Sequence, residues 1–126
     1  MKSPLKALAT AFAVSVVMFA GLAANPARAQ TKPPAYLIVE FQVTDPAGWK
    51  TYVDAARALP TLGVSIVRAT KGIALSGEAP RTISIFKFPS VEEAQAFDSS
   101  PAYVALKAGR DKSSIWRSYI VEGLPN

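Results

Sequence analysis

Between Thr82 and Leu106 the chain reads TISIFKFPSVEEAQAFDSSPAYVAL, and this stretch leaves it few ways to fold. Ile83, Ile85, Phe86 and Phe88 make Thr82–Phe88 apolar on both faces, as suits a central strand covered on two sides. Pro89 has no N–H to give to a ladder and ends it. Ser90 offers its hydroxyl as an N-cap, with Glu93 three residues on at capping-box spacing; two acids in the first turn also complement the helix dipole. Val91, Ala94 and Phe97 line one side of the helix so begun. Ser99 and Ser100 interrupt it, and Ser100-Pro101 restarts it as N-cap and first helical residue. Tyr103 and Leu106 carry the apolar side of this second segment.

The flanking sequence supplies three more strands and one more helix. Tyr36–Val43 alternates Leu37, Val39, Phe41 and Val43 with Tyr36, Ile38, Glu40 and Gln42, so one face is apolar and the other mixed. Asp45-Pro46 starts a helix in which Trp49, Tyr52, Val53, Ala56 and Leu59 recur at helical spacing, opposite Lys50, Asp54 and Arg57; Pro60 ends it. Val64–Thr70 is the second strand, Ile73–Leu75 a further short strand in a turn-rich segment, and Ile115–Glu122 the last, with Gly109 loosening the helix before it. The order β-α-β-β-α-β predicts an α+β, ferredoxin-like fold: a four-stranded antiparallel sheet with its helices on one face. Right-handed crossovers place the first and third strands side by side at the centre. The face left bare must be solvated, filled by a ligand or covered by a second copy, and apolar residues on both faces of the central strands argue for cover. A homodimer is expected.

The start of the chain speaks to compartment. Lys2 and Lys6 precede an uncharged run from Ala7 to Ala24, then Ala27-Arg28-Ala29 puts small residues at the −3 and −1 positions of a cleavage site. This is the pattern of a secretory signal peptide over residues 1–29, with an uncleaved membrane anchor as the alternative. The predicted organisation is therefore signal 1–29, a polar leader over 30–35, one domain over 36–123, and a short tail at 124–126. Export to the periplasm or beyond follows, with no stable membrane association after cleavage.

Composition then excludes much. The chain carries 14 basic and 9 acidic residues, but Lys2, Lys6 and Arg28 belong to the signal segment. No basic run survives in the domain, so there is no footprint for nucleic acid. The RNA-recognition fold shares this β-α order, yet the Gly-aromatic pattern of its third strand is missing. The chain has no His and no Cys, and both methionines, Met1 and Met18, lie within the signal segment. Zinc, copper and haem normally draw on imidazole or sulfur ligands, so the expectation is a domain with no metal and no bound cofactor. A Ser–His or Cys–His nucleophile pair cannot be built.

Taken together, AYLIVEFQVTDPAGWKTY, the strand after Gly63, RTISIFKFPSVEEAQAF, SPAY and the closing VEG resemble a bacterial family, the domain of unknown function 1330 (DUF1330), within the dimeric α/β-barrel superfamily. The resemblance runs from Ala35 to Gly123. Its most specific parts are Phe88-Pro89-Ser90, then Ser100-Pro101 with Tyr103, then Val121-Glu122-Gly123. The chain departs from the pattern at Ala69-Thr70, where members tend to carry a glycine pair, and at Lys87, where they tend to carry an acid. The resemblance implies two copies packed sheet to sheet as a dimeric α/β barrel, with a small cavity between sheet and helices or between sheets. The wider superfamily includes cofactor-free oxygenases, lactone isomerases and haem-degrading enzymes, and fold alone does not choose among them.

Four side chains are candidates for a ligand site: Tyr36, Glu40, Arg68 and Lys87. Glu40 lies mid-strand on the face away from the helices, as a candidate general base or as half of an ion pair with Lys87 or Arg68. Arg68 could hold a carboxylate or enolate through a two-pronged hydrogen bond, or simply end an edge strand in solvent. Lys87 carries the same two readings, and Tyr36 is a donor on that face or an aromatic at the dimer seam. Trp49, Tyr52, Phe97 and Tyr103 read as helix-to-sheet packing with hydroxyls at the rim, while Trp116 does not reveal its face. Function is thereby narrowed to a small-molecule-binding dimer. The alternatives are a cofactor-independent oxygenase or isomerase of a small organic acid or lactone, and a non-catalytic structural or interaction module.

Overall fold

A computed structural model describes residues 32–126, so the expected signal peptide over 1–29 and the start of the expected leader lie outside the described residues. The elements are β1 (Ala35–Val43), α1 (Pro46–Arg57), β2 (Val64–Thr70), β3 (Thr82–Phe88), α2 (Val91–Ser99), α3 (Pro101–Ser113) and β4 (Ser114–Glu122). They form a four-stranded antiparallel sheet in the order β2-β3-β1-β4, a ferredoxin-like fold whose second helix is broken in two. The sheet of one chain is open rather than closed on itself.

Each helix starts where a side chain can accept its free N–H groups. Asp45 Oδ1 accepts from Ala47 N at 3.2 Å ahead of Pro46, and Ser90 Oγ accepts from Glu93 N at 3.2 Å. Ser100 serves two helices at once. Its hydroxyl donates to Phe97 O at 2.8 Å, closing α2, and accepts from Tyr103 N at 3.3 Å, opening α3. The corner it makes stacks the Phe97 and Tyr103 rings with centroids 4.5 Å apart. Thr44 N and Asp45 N both donate to Ser113 O, which ties the start of α1 to the end of α3.

Burial follows the predicted period. Ala35, Leu37, Val39 and Phe41 face the helices and are buried with Tyr52, Ala56, Phe88, Ala94, Phe97 and Tyr103. Trp116 packs against this core, which settles its face: it lies opposite Phe41 in the β1–β4 ladder. Gly123 sits where the residues after β4 approach those at the start of β1. A Cβ there would lie 2.6 Å from Tyr36 Cε2, while Gly123 N donates to Pro34 O at 2.6 Å.

Three expectations change. Ile73–Leu75 is not a strand: it pairs with nothing in the sheet, and Ile73 and Leu75 are 89 % and 98 % exposed. A three-residue apolar alternation lacks the length to add a ladder where no neighbour lies beside it. Gly109 does not loosen the helix, which continues to Ser113, where the Ser113 and Ser114 hydroxyls donate to the Gly109 and Arg110 carbonyls. Finally β1 begins one residue early, at Ala35, because Ala35 pairs with Phe88 on one side and Glu122 on the other.

Candidate functional site

The β2–β3 ladder decides where the site lies. Val64 opposes Lys87 and Ser65 opposes Phe86, but the next pairs are Val67 with Ile85 and Thr70 with Ile83, so the register shifts twice. Side chains alternate faces with period two, and each extra residue inverts the assignment of everything after it. Ile66 is the first extra residue. After it, Val67 faces the open side with Ile85, and Arg68 turns to the helix side, where it lines a cavity. Arg68 therefore does not share the open face with Glu40 and Lys87 as its place in a regular strand predicts.

The cavity lies between the sheet and α1 and has a volume of about 480 Å³. Leu37, Val39 and Phe41 of β1 and Phe86 of β3 floor it, and Trp49, Tyr52, Val53 and Ala56 of α1 roof it. Trp116 closes one end, with Phe41 stacked on Trp49 at a centroid distance of 4.6 Å and Tyr52 edge-on to Trp116 at 6.0 Å. The other end meets the β2 edge, where Arg57, Gly63, Ser65 and Arg68 contribute. Ser84, buried in the middle of β3, adds a hydroxyl to the floor. Gly63 is needed where it stands: a Cβ would lie 2.6 Å from Lys87 O.

Beneath the aromatic walls runs a buried polar chain. Tyr52 and Tyr103 share a hydrogen bond between their hydroxyls at 3.0 Å, and Arg110 Nη1 donates to Tyr103 Oη at 3.2 Å. Arg110 Nε donates to Asp111 Oδ1 at 2.8 Å, and its guanidinium lies 4.7 Å from the Trp116 ring centre. Burial, reinforced by Tyr103, pushes the Tyr52 phenol far above its ordinary range, so it remains a neutral donor at any physiological pH. Burial works against the Arg110 charge, but hydrogen bonds to Asp111 and Tyr103 outweigh it and hold the group above the usual guanidinium value. The tyrosine hydroxyls thus meet each other in the interior rather than reaching partners at the rim. Arg110 itself escaped the sequence reading; the signal was its place seven residues after Tyr103, on the same side of a helix.

On the opposite face, Tyr36, Ile38, Glu40 and Gln42 alternate with the core residues of β1. Glu40 lies opposite Ile83 on β3 and Arg117 on β4, and Arg117 Nε and Nη2 both reach Glu40 Oε2. Lys87 lies opposite Tyr36, two registers of that face away. The expected Glu40–Lys87 and Glu40–Arg68 pairs are replaced by Glu40–Arg117, because β4, whose in-facing residues the sequence did not reveal, brings its arginine level with the acid. Of the four predicted residues, Tyr36, Glu40 and Lys87 share the open face and Arg68 alone enters the cavity.

The architecture defines a ferredoxin-like α+β domain with a hollow under its first helix. The chain belongs to the DUF1330 family, described as a domain of unknown function, which it matches over residues 34–124. No curated protein matches the sequence. Among solved structures, SnoaB, a cofactor-independent oxygenase from Streptomyces nogalater, is 12 % identical with a TM-score of 0.51, covering 75 % of this chain and 96 % of that one. A DABB family protein with a ferredoxin-like fold from Mesorhizobium loti is 11 % identical with a TM-score of 0.54, covering 74 % and 99 %. A dimeric protein of unknown function with a ferredoxin-like fold from Bacteroides fragilis is 16 % identical with a TM-score of 0.48, covering 71 % and 95 %. At these identities the likeness is one of fold.

Proposed function

We propose that this domain is an exported, homodimeric binding protein that takes a small organic molecule into the cavity under α1, without a metal or bound cofactor. One observation carries the reading: an aromatic-walled hollow of about 480 Å³ whose lining holds no Asp, Glu, His or Lys. Apolar walls with a few placed polar groups suit a small-molecule site. The lining polar side chains are arginine, tyrosine and serine, which orient a ligand well but offer no ready base.

That composition weighs against the cofactor-independent oxygenase or isomerase as the first choice. Proton abstraction from a small acid or lactone needs a group that titrates near neutrality, and Tyr52 is driven the wrong way for that role. Glu40 is a carboxylate, but it faces away from the cavity and is held by Arg117. Pairing through the open face is supported by Ile38 and Ile85, opposite one another, beside the exposed Tyr119 and Val121. Export is supported by the cleavage pattern at Ala27-Arg28-Ala29.

Trp49 and Trp116 are the chain's two tryptophans and both line the cavity, so intrinsic fluorescence reports its occupancy directly. Screening small aromatic and aliphatic acids, alcohols and lactones by tryptophan emission, with native mass spectrometry of freshly purified protein, should find a saturable ligand. A protein that binds none of them, while turning over a small acid through Glu40, would reverse the order of the two readings.

A further inference from the structure

The polar groups of the cavity are unevenly spent. At the closed end Tyr52 and Tyr103 are bonded to each other, and Arg110 is committed to Tyr103, Asp111 and the Trp116 ring. At the β2 end nothing comparable occupies Arg57 or Arg68: among the described residues neither forms an ion pair. Charge available to a ligand is therefore positive, and it lies at one end.

The strand geometry singles out Arg68. In a regular β2 its side chain would point to the open face, beside Lys87 and Glu40. The first register shift, at Ile66, brings it round, and the second leaves both Arg68 and Ala69 against Ser84, between the Val67–Ile85 and Thr70–Ile83 pairs. Bulges cost ladder hydrogen bonds and recur where a side chain must be re-aimed. Here they set a guanidinium fork near two hydroxyls, those of Ser65 and Ser84, at the rim of an aromatic hollow. A fork of N–H donors matches the two oxygens of a carboxylate. Flat rings such as Phe41, Trp49 and Phe86 match a flat apolar body.

We infer that the ligand is a planar aromatic or conjugated monoanion, its ring seated against Phe86 and the stacked Phe41–Trp49 pair and its carboxylate or enolate held at the β2 edge by Arg68, with Arg57 as a second cation. Arg57 also ends α1, where a positive side chain favours the helix dipole, so Arg68 is the discriminating residue. This inference rests on the cavity being a binding site, and its test separates the two.

The probes are 2-naphthoate and 2-naphthylmethanol, which share a ring system and differ in the charged head, titrated calorimetrically into the purified protein at low salt. The carboxylate should bind at least about tenfold more tightly than the alcohol, and lose that advantage as salt is raised. Arg68→Met should bring 2-naphthoate down to the level of the alcohol while leaving the alcohol's affinity unchanged, and Arg68→Lys should fall between. Arg57→Met should cost the carboxylate less than Arg68→Met does. Equal affinity for the two probes overturns the anion assignment and leaves the binding site standing. A carboxylate preference that survives Arg68→Met overturns the role of Arg68. Failure of both probes to bind, with no change in tryptophan emission, removes the inference, and the proposed site goes with it if the wider ligand screen is also blank.

Discussion

β1 and β2 begin as similar sequences, AYLIVEFQV and VSIVRAT, and end as opposite kinds of strand. β1 is bonded on both edges, to β3 and β4, with no shift in either register, and its alternate residues are buried from Ala35 to Phe41. β2 is bonded on one edge, slips twice along it, and is exposed at every residue but the half-buried Val67. A strand held on two sides cannot slip without moving a whole apolar set out of the core. An edge strand can, and the slip turns Arg68 to the helix side, at the rim of the cavity. Burial is concentrated on the regular side of the sheet and the proposed recognition chemistry on the irregular side.

The comparison can be broken most sharply from the β1 side. Phe41 is buried and stacks on Trp49 and Trp116, so Phe41→Ala should cost about 3–5 kcal/mol, read from urea unfolding by circular dichroism. A loss under about 1 kcal/mol would mean that the aromatic end of the cavity is not part of the core. Next comes Tyr103→Phe, which strips the hydroxyl shared by Tyr52 and Arg110 and should cost about 1–3 kcal/mol.

A pH series sharpens the same point. The Tyr52 phenol is raised in the folded state, so folding favours its neutral form; this contribution is present below the unfolded phenol value of about 10 and is lost as pH climbs beyond it. Melting temperature should therefore fall more steeply above pH 10 for the wild type than for Tyr52→Phe. Parallel curves would place the hydroxyl in water.

Smaller effects are expected where the structure is open. Glu40→Gln breaks the pair with Arg117, whose side chain is 73 % exposed, and should cost no more than about 1 kcal/mol. A loss several times larger that grows with protein concentration would mean the pair is buried between two copies. Least of all, Arg68→Met should change stability by no more than about 0.5 kcal/mol, since it lies exposed on the slipped edge. If Arg68→Met were as damaging as Phe41→Ala, the division between the two strands would fail.

Much of this was legible beforehand. The Pro89-Ser90 and Ser100-Pro101 signals placed α2 and α3 and the corner between them, and the order of elements placed β1 and β3 at the centre. The site was less legible. Tyr36, Glu40 and Lys87 were assigned to the correct face by simple alternation, but alternation failed for Arg68 because nothing in VSIVRAT announces a bulge. The partner of Glu40 is not legible in the sequence, because the facing residue of β4 depends on a register set by the whole ladder.

What the sequence determined by itself was whatever is encoded within a few residues: helix starts through Asp45, Ser90 and Ser100, strand faces through period-two alternation, and the exclusion of imidazole and thiolate chemistry from the domain. What only the tertiary structure decided was whatever depends on residues distant along the chain. Those outcomes are the pairing of Glu40 with Arg117, the Tyr52–Tyr103–Arg110 chain, and the turning of Arg68 into the cavity. The physical reason is that a cap or an alternation satisfies its own backbone locally, whereas register and bulges are fixed by the summed packing of strands that meet only when the fold is complete.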